Sequence, residues 1–129
     1  MIWEKPKFDK HGFTQFGWQV RTPEKLELGK KVKIGAFTKL DCLHGIKIGD
    51  NTDIAPNCHI VSFSSDYGKK GKVVIGKNVY MGTFALIMPN VRIGDNAKIG
   101  AFSMVAKNVP KNEVWFGIPA KKEASKKNE

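Results

Sequence analysis

The chain has 129 residues and a formal charge of +10 at pH 7, from 22 Lys and Arg against 12 Asp and Glu. A hydrophobic content of 41% with 10% aromatics excludes a disordered chain and leaves room for one small core. No apolar run nears the roughly 18 residues that cross a bilayer, so no membrane insertion is expected. The two cysteines, Cys42 and Cys58, give no disulfide framework, which suits a reducing, cytoplasmic setting.

The first residues, Met1-Ile2-Trp3-Glu4-Lys5-Pro6-Lys7, lack the apolar stretch of a signal peptide. Residues 1–25 read as an irregular arm, rich in aromatics (Trp3, Phe8, Phe13, Phe16, Trp18), that caps the open end of the following domain.

From residue 26 to 109 a rhythm of six takes over. Leu28, Ile34, Leu40, Ile48, Ile54, Ile60, Ile75, Met81, Ile87, Ile93, Ile99 and Val105 form one column. A second lies two positions earlier: Leu26, Val32, Thr38, Ile46, Thr52, Cys58, Val73, Val79, Ala85, Val91, Ala97 and Ser103. Cys58 therefore reads as a small core residue. Two inward residues around one outward residue make a very short strand with one buried face. Glycine often follows the inner residue. Asn51, Asn57, Asn78, Asn90, Asn96 and Asn108 stand where a left-handed corner conformation is least costly for a residue with a side chain. A unit of six cannot bury its own apolar side, so the units must stack. The expected fold is all-β: a parallel β-helix of about four triangular coils.

The rhythm slips by two residues between Leu40 and Ile48 and by nine between Ile60 and Ile75. Both slips follow the third unit of a coil, so both loops leave one corner of the prism, the longer spanning 63–72. The second corner stacks Phe37, Asn57, Phe84 and Phe102. An exposed phenylalanine column needs cover, either from the arm or, as favoured here, from a symmetric copy. Residues 110–129 are expected to add a last strand and a basic tail with Lys121, Lys122, Lys126 and Lys127.

The positive charge favours anionic partners. Most lysines occupy outward positions of a solvated face, with Lys69-Lys70-Gly71-Lys72 and the tail as the dense exceptions. No nucleic-acid module is visible, and aromatics do not interleave with the basic residues.

The segments Ile48-Gly49-Asp50-Asn51, Ile75-Gly76-Lys77-Asn78-Val79-Tyr80-Met81-Gly82 and Gly117-Ile118-Pro119-Ala120-Lys121 resemble the hexapeptide-repeat acyltransferases, in particular the branch of sugar O-acetyltransferases. The resemblance covers residues 26–122. It implies a left-handed β-helix, an exception to the usual right-handed crossover, and a homotrimer with active sites between subunits. It also implies acetyl-coenzyme A as acetyl donor, a saccharide as acceptor, and no metal. By the same resemblance Tyr80 stands near the acceptor and the pantetheine arm. Thr83, Ala101, Ala106 and Lys107 line the coenzyme groove, and Lys121 and Lys122 meet its phosphates.

The sequence departs from that family at one point. Acetylating a hydroxyl requires a general base, which the sugar O-acetyltransferases place at the start of the long loop. Here Ser65 occupies that position, and 63–72 contains no histidine. His44, in the first insertion one coil below Ser64 and Ser65, is the first candidate replacement. His59, outward on the third face of the second coil, is the other. Asp41 or Asp66 is placed to orient an imidazole, and Ser65 and Tyr67 to meet the acceptor. His11, in the arm, is set aside. An amine acceptor needs the base less, and Asp66 or a water would then suffice. The zinc-dependent carbonic anhydrases that share the fold need three histidines per site, which this set does not supply. Two readings follow: an acetyltransferase acting on a hydroxyl or amine of a saccharide or nucleotide-sugar, or a catalytically inactive trimeric β-helix serving binding or assembly.

Overall fold

The computed structural model describes residues 2–124. Within them the chain winds into a three-sided prism of short parallel strands. The first face stacks Leu26–Leu28, Ile46–Ile48, Val73–Ile75 and Arg92–Ile93. The second stacks Lys33–Ile34, Asp53–Ile54, Tyr80–Met81 and Lys98–Ile99, followed by Val114–Gly117. The third stacks Gln19–Arg21, Lys39–Asp41, His59–Val61, Leu86–Ile87 and Met104–Val105.

Both predicted columns face inward. Leu40, Ile60, Met81, Ile87 and Val105 are fully buried, as are Thr52 and Ala97. Leu26 and Leu28 are only partly buried because no coil lies beneath them on the first face. The register absorbs each insertion outside the stack. Leu26 pairs with Ile46 and Ile46 with Val73, yet Val74 pairs with Arg92 at the uninterrupted spacing of the upper coils.

The hydroxyls in the inner column explain why polar residues are tolerated there. Thr52 Oγ1 donates to Gly76 O (2.7 Å) and accepts from Val79 N (3.1 Å), tying one corner to the coil above. Thr38 does the same between Ala55 O and Cys58 N. Outside, Asp50 and Asp95 each accept from the corner N–H of the coil below, at Lys30 and Lys77, both at 2.8 Å.

Glycine serves close approach more than special dihedrals. A Cβ at Gly82 would lie 2.5 Å from Ala101 N. The left-handed corner position is taken by Asn51, Asn57, Asn78, Asn90 and Asn96, as expected. Asn108 is a correction: it is not left-handed, and its side-chain oxygen instead accepts from Arg92 N. Phe37, Phe84 and Phe102 do adopt positive φ (66°, 60° and 57°), a costly conformation for so bulky a side chain.

The stack begins before residue 26. Trp18 and Val20 are buried, and Gln19–Arg21 pairs in parallel with Lys39–Asp41. Val20 precedes Leu28 by the same interval that separates Leu40 from Ile48, so this unit obeys the register with a slip at the same corner. The rest of the arm caps the base. Phe8 packs edge-on against Trp18 (5.9 Å), and Trp3 Nε1 donates to Val32 O (2.6 Å). The arm reaches the second corner through its backbone, where Gly17 O accepts from Phe37 N (2.9 Å), but it leaves the Phe37, Phe84 and Phe102 side chains 78%, 53% and 62% exposed. At the other end, Lys121 and Lys122 belong to a strand, Ala120–Lys122, antiparallel to Val114–Gly117. Lys126 and Lys127 lie outside the described residues.

Replacing Thr52 by valine keeps the shape but leaves the Val79 N–H buried without a partner. A loss of about 1–3 kcal/mol is expected, read as a lower denaturant midpoint with unchanged slope.

Candidate active site

The third face carries a trough. Its outward column runs from Lys39 through His59 to Leu86 and Met104, charged low on the stack and apolar high on it. The phenylalanine corner borders this face on one side without lining its hollows. The wall on the other side is the 63–72 loop, which folds as a hairpin of Phe63–Ser64 against Lys69–Lys70. Beside the hairpin a groove of about 360 Å³ is lined by His59, Arg21, Asp41, Ser65, Asp66 and Tyr67, among others. A second hollow of about 400 Å³ continues it toward Lys39 and His11, again past Arg21, Asp41 and His59.

Asp41 anchors this floor. One oxygen pairs with Arg21 Nη1 at 3.2 Å and the other accepts from Leu43 N at 3.2 Å. Asp41 therefore acts as a brace for Arg21, and among the described residues no carboxylate is hydrogen-bonded to either His44 or His59. Desolvation by the surrounding packing lowers the His59 pKa, and the Lys39 ammonium lowers it further, while Asp41 opposes both. His59 is thus biased toward the neutral imidazole that can accept a proton.

His44 lies at the third corner, near the loop as the spacing required. Its backbone N–H donates to Ser62 Oγ (2.8 Å), and its ring sits 6.0 Å from that of Phe63. It is not part of the groove lining that holds His59. Neither cysteine offers a thiolate. Burial, with Asp41 and Glu24 nearby, pushes the Cys42 thiol up to about 12, and burial also raises Cys58.

The remaining sequence-expected residues fall into two further groups. Tyr80 is outward and exposed on the second face, paired with Asp53 and Lys98. Thr83 and Ala101 stand at the second corner, where Thr83 Oγ1 donates to Pro56 O (2.7 Å). Lys121 and Lys122 crown the same face, with Lys122 Nζ 3.5 Å from Glu113. Ala106 and Lys107 instead lie at the third corner, against the far side of the hairpin. The prism thus keeps Tyr80, Thr83 and Ala101 on a different side from the loop groove. Arg21, on the groove floor, is absent from the sequence-expected set. The outward place between Val20 and the slip before Leu28 was the signal that would have found it.

The architecture defines the class of protein: a parallel β-helix assembled from six-residue units. Residues 72–107 match the family described as bacterial transferase hexapeptide (six repeats). A galactoside O-acetyltransferase of Lactococcus lactis subsp. lactis (strain IL1403) is 35% identical over 108 residues, covering 70% of this chain and 51% of that protein. A serine acetyltransferase of Buchnera aphidicola subsp. Schizaphis graminum (strain Sg) is 30% identical over 126 residues, covering 93% and 48%. A solved galactoside acetyltransferase in complex with coenzyme A superposes with a TM-score of 0.76 at 28% identity, over 83% of this chain and 57% of that one. The chain belongs to the hexapeptide-repeat acyltransferase family, and its coils are those of a left-handed parallel β-helix. It spans about half the length of the curated relatives it matches.

The depressed His59 pKa has a consequence for stability. The unfolded chain takes up this proton at about pH 6.5, the folded chain only at lower pH. Stability is therefore complete above about pH 6.5 and declines as pH falls through the window below it. Thermal midpoints from pH 7.5 down to 5 should fall less steeply for His59→Gln than for the wild type. Parallel profiles would contradict the assignment.

Proposed function

We propose that this protein is a coenzyme A-dependent acetyltransferase whose acceptor, a hydroxyl or amine of a saccharide or nucleotide-sugar, binds in the third-face groove. The observation that carries this reading is the groove itself, where a desolvated His59 stands beside a polar hairpin at the same corner that carries Lys107. Acetyl-coenzyme A would supply an activated acyl group as a thioester. The chain's own residues do the rest.

His59 accepts the proton of the acceptor hydroxyl as the hydroxyl oxygen attacks. Desolvation first, and the Lys39 ammonium second, favour the neutral form of the ring between turnovers, while Arg21, braced by Asp41, lines the groove floor. Ser65, Asp66 and Tyr67 orient the acceptor, Tyr67 as an exposed platform and the other two as hydrogen-bonding groups. Tyr80, Thr83 and Ala101, small or flat along the second face and corner, suit the slender pantetheine arm. Lys107, Lys121 and Lys122 suit phosphates as point charges. His44 serves at the loop root, against Phe63.

Because these groups occupy different sides of one prism, a complete site requires a second copy. We propose a homotrimer in which the phenylalanine ridge of one protomer is covered by the next. Three exposed phenylalanines held in a costly backbone conformation favour this arrangement, since such strain persists where a contact rewards it.

Incubating the protein with acetyl-coenzyme A and a panel of sugars, amino sugars and serine should release free thiol with at least one saccharide acceptor. With a hydroxyl acceptor, His59→Gln should lower kcat by roughly 10²–10⁴-fold, and His44→Ala should leave it within a few-fold. No turnover with any acceptor would favour the non-catalytic binding module, and an unchanged kcat for His59→Gln would remove the base.

A further inference from the structure

The hairpin that walls the histidine groove has a second flank. On that side a cleft of about 610 Å³ opens between the hairpin and the third corner of the two upper coils, lined by Lys69, Lys70, Lys107, Asn90 and Asn108. The antiparallel register places Ser64 opposite Lys69 and Phe63 opposite Lys70, so the two flanks are separated only by the width of the hairpin.

Three features set this cleft apart from the general lysine coat. First, among the described residues no carboxylate lines it, and Lys69, Lys70 and Lys107 make no ion pair. Lys72, in the same basic run, does: its ammonium meets Glu27 at 2.6 Å on the first face. The run is thus divided into one neutralised lysine and two directed at the cleft. Second, Asn108 Oδ1 is occupied by Arg92 N, which leaves its amide donors for something else. Third, the corner above is uncapped. The backbone N–H groups of Ala106, Lys107 and Asn108 have no backbone acceptor among the described residues. Ammonium groups, carboxamide donors and free N–H groups around one hollow form a cationic, donor-rich lining, complementary to an oxyanion with several acceptors.

The hairpin is also fixed in position relative to the corner. Gly71 N donates to Ser62 O, and Asn90 N donates to Gly71 O, so the strand bearing Lys69 and Lys70 is stitched to the coil carrying Asn90. A Cβ at Gly71 would fall 2.8 Å from Asn90 Cβ, so only glycine allows the approach.

We propose that Lys69 and Lys70, with Lys107 and the 106–108 corner, form a phosphate-binding subsite. This deepens the acetyltransferase reading and rests on it for the source of the phosphate, which either the coenzyme or a phosphorylated acceptor such as a nucleotide-sugar would bring. The hairpin then has two duties, presenting the acceptor groove on one flank and holding an anion on the other.

The test is isothermal titration of the full chain with inorganic pyrophosphate, coenzyme A and UDP-glucose at low and high salt. The variants are Lys69→Met/Lys70→Met, Lys107→Met and, as a control for the loss of one charge from the same run, Lys72→Met, each checked for an unchanged thermal midpoint. The expected result is pyrophosphate binding that weakens on the order of tenfold in the double variant and in Lys107→Met, weakens with salt, and is retained in Lys72→Met. A parallel loss for coenzyme A alone assigns the subsite to the donor, and a loss for UDP-glucose alone assigns it to the acceptor. No pyrophosphate binding, equal binding by all variants, or an equal loss in Lys72→Met overturns the subsite. Acetyl transfer measured separately keeps the two proposals apart. Turnover with unaltered anion binding removes only the subsite, and anion binding without turnover removes only the transferase.

Discussion

Each six-residue unit has two inward side chains and a strand too short to stand alone, so every coil is stable only on its neighbour. Hydrogen bonds run between coils along all three faces, and the core is the narrow space into which the two inward columns of each face project. Removing solvent from that space is the dominant favourable term. It also explains the inner hydroxyls. A column of methyls and hydroxyls, Thr38, Thr52 and Ser103, lets the corner amides find partners without leaving the interior. The site inherits this rigidity. His59 is held one strand spacing from Lys39 on one side and from Leu86 on the other because the strands that carry them are paired in that order.

The candidate site of this protein is built on the interruptions of the stack. The loop, the arm and the phenylalanine corner all decorate the third face, and each departs from the six-residue rule in a different way. The loop adds residues, the arm adds an irregular cap ending in Gln19–Arg21, and the corner substitutes phenylalanine where asparagine is the easier occupant of a left-handed position. A charged floor, a polar hairpin and an apolar ridge then converge on one trough. The second flank of the hairpin faces a different chemistry, lysines without acids, so a short insertion of this chain borders two unlike surfaces.

Nearly all of the core was legible in the sequence because period and burial are locked together by the strand pleat. Leu40 or Ile87 cannot face outward without turning every neighbour with it. The unit at Trp18 and Val20 was hidden by the slip that follows it, although the same slip recurs after Leu40. The corner of Asn108 misled for another reason. Residue type indicates which conformations are cheap, and the top coil, with none of the described residues stacked above this corner, is released from the constraint that fixes Asn90. The site was less legible than the core. Proximity of His44 to the loop followed correctly from coil spacing, but which imidazole faces the groove depends on the hairpin's path, and alternation is silent about loops. That Lys72 meets Glu27 while Lys69 and Lys70 line the cleft beside Asn90 and Lys107 was equally beyond the reach of alternation, because it depends on the close approach of Gly71 to Asn90.

The third corner closes equally well with a tight turn, as after Leu40, or with a ten-residue excursion, as after Val61. Entropy penalises longer excursions only logarithmically, and the strands on either side resume their pairing unaware of what was inserted. Such a scaffold separates the evolution of what is recognised from the maintenance of the fold: new segments can be spliced at this edge, lengthened or recharged, while the spine that bears them stays the same.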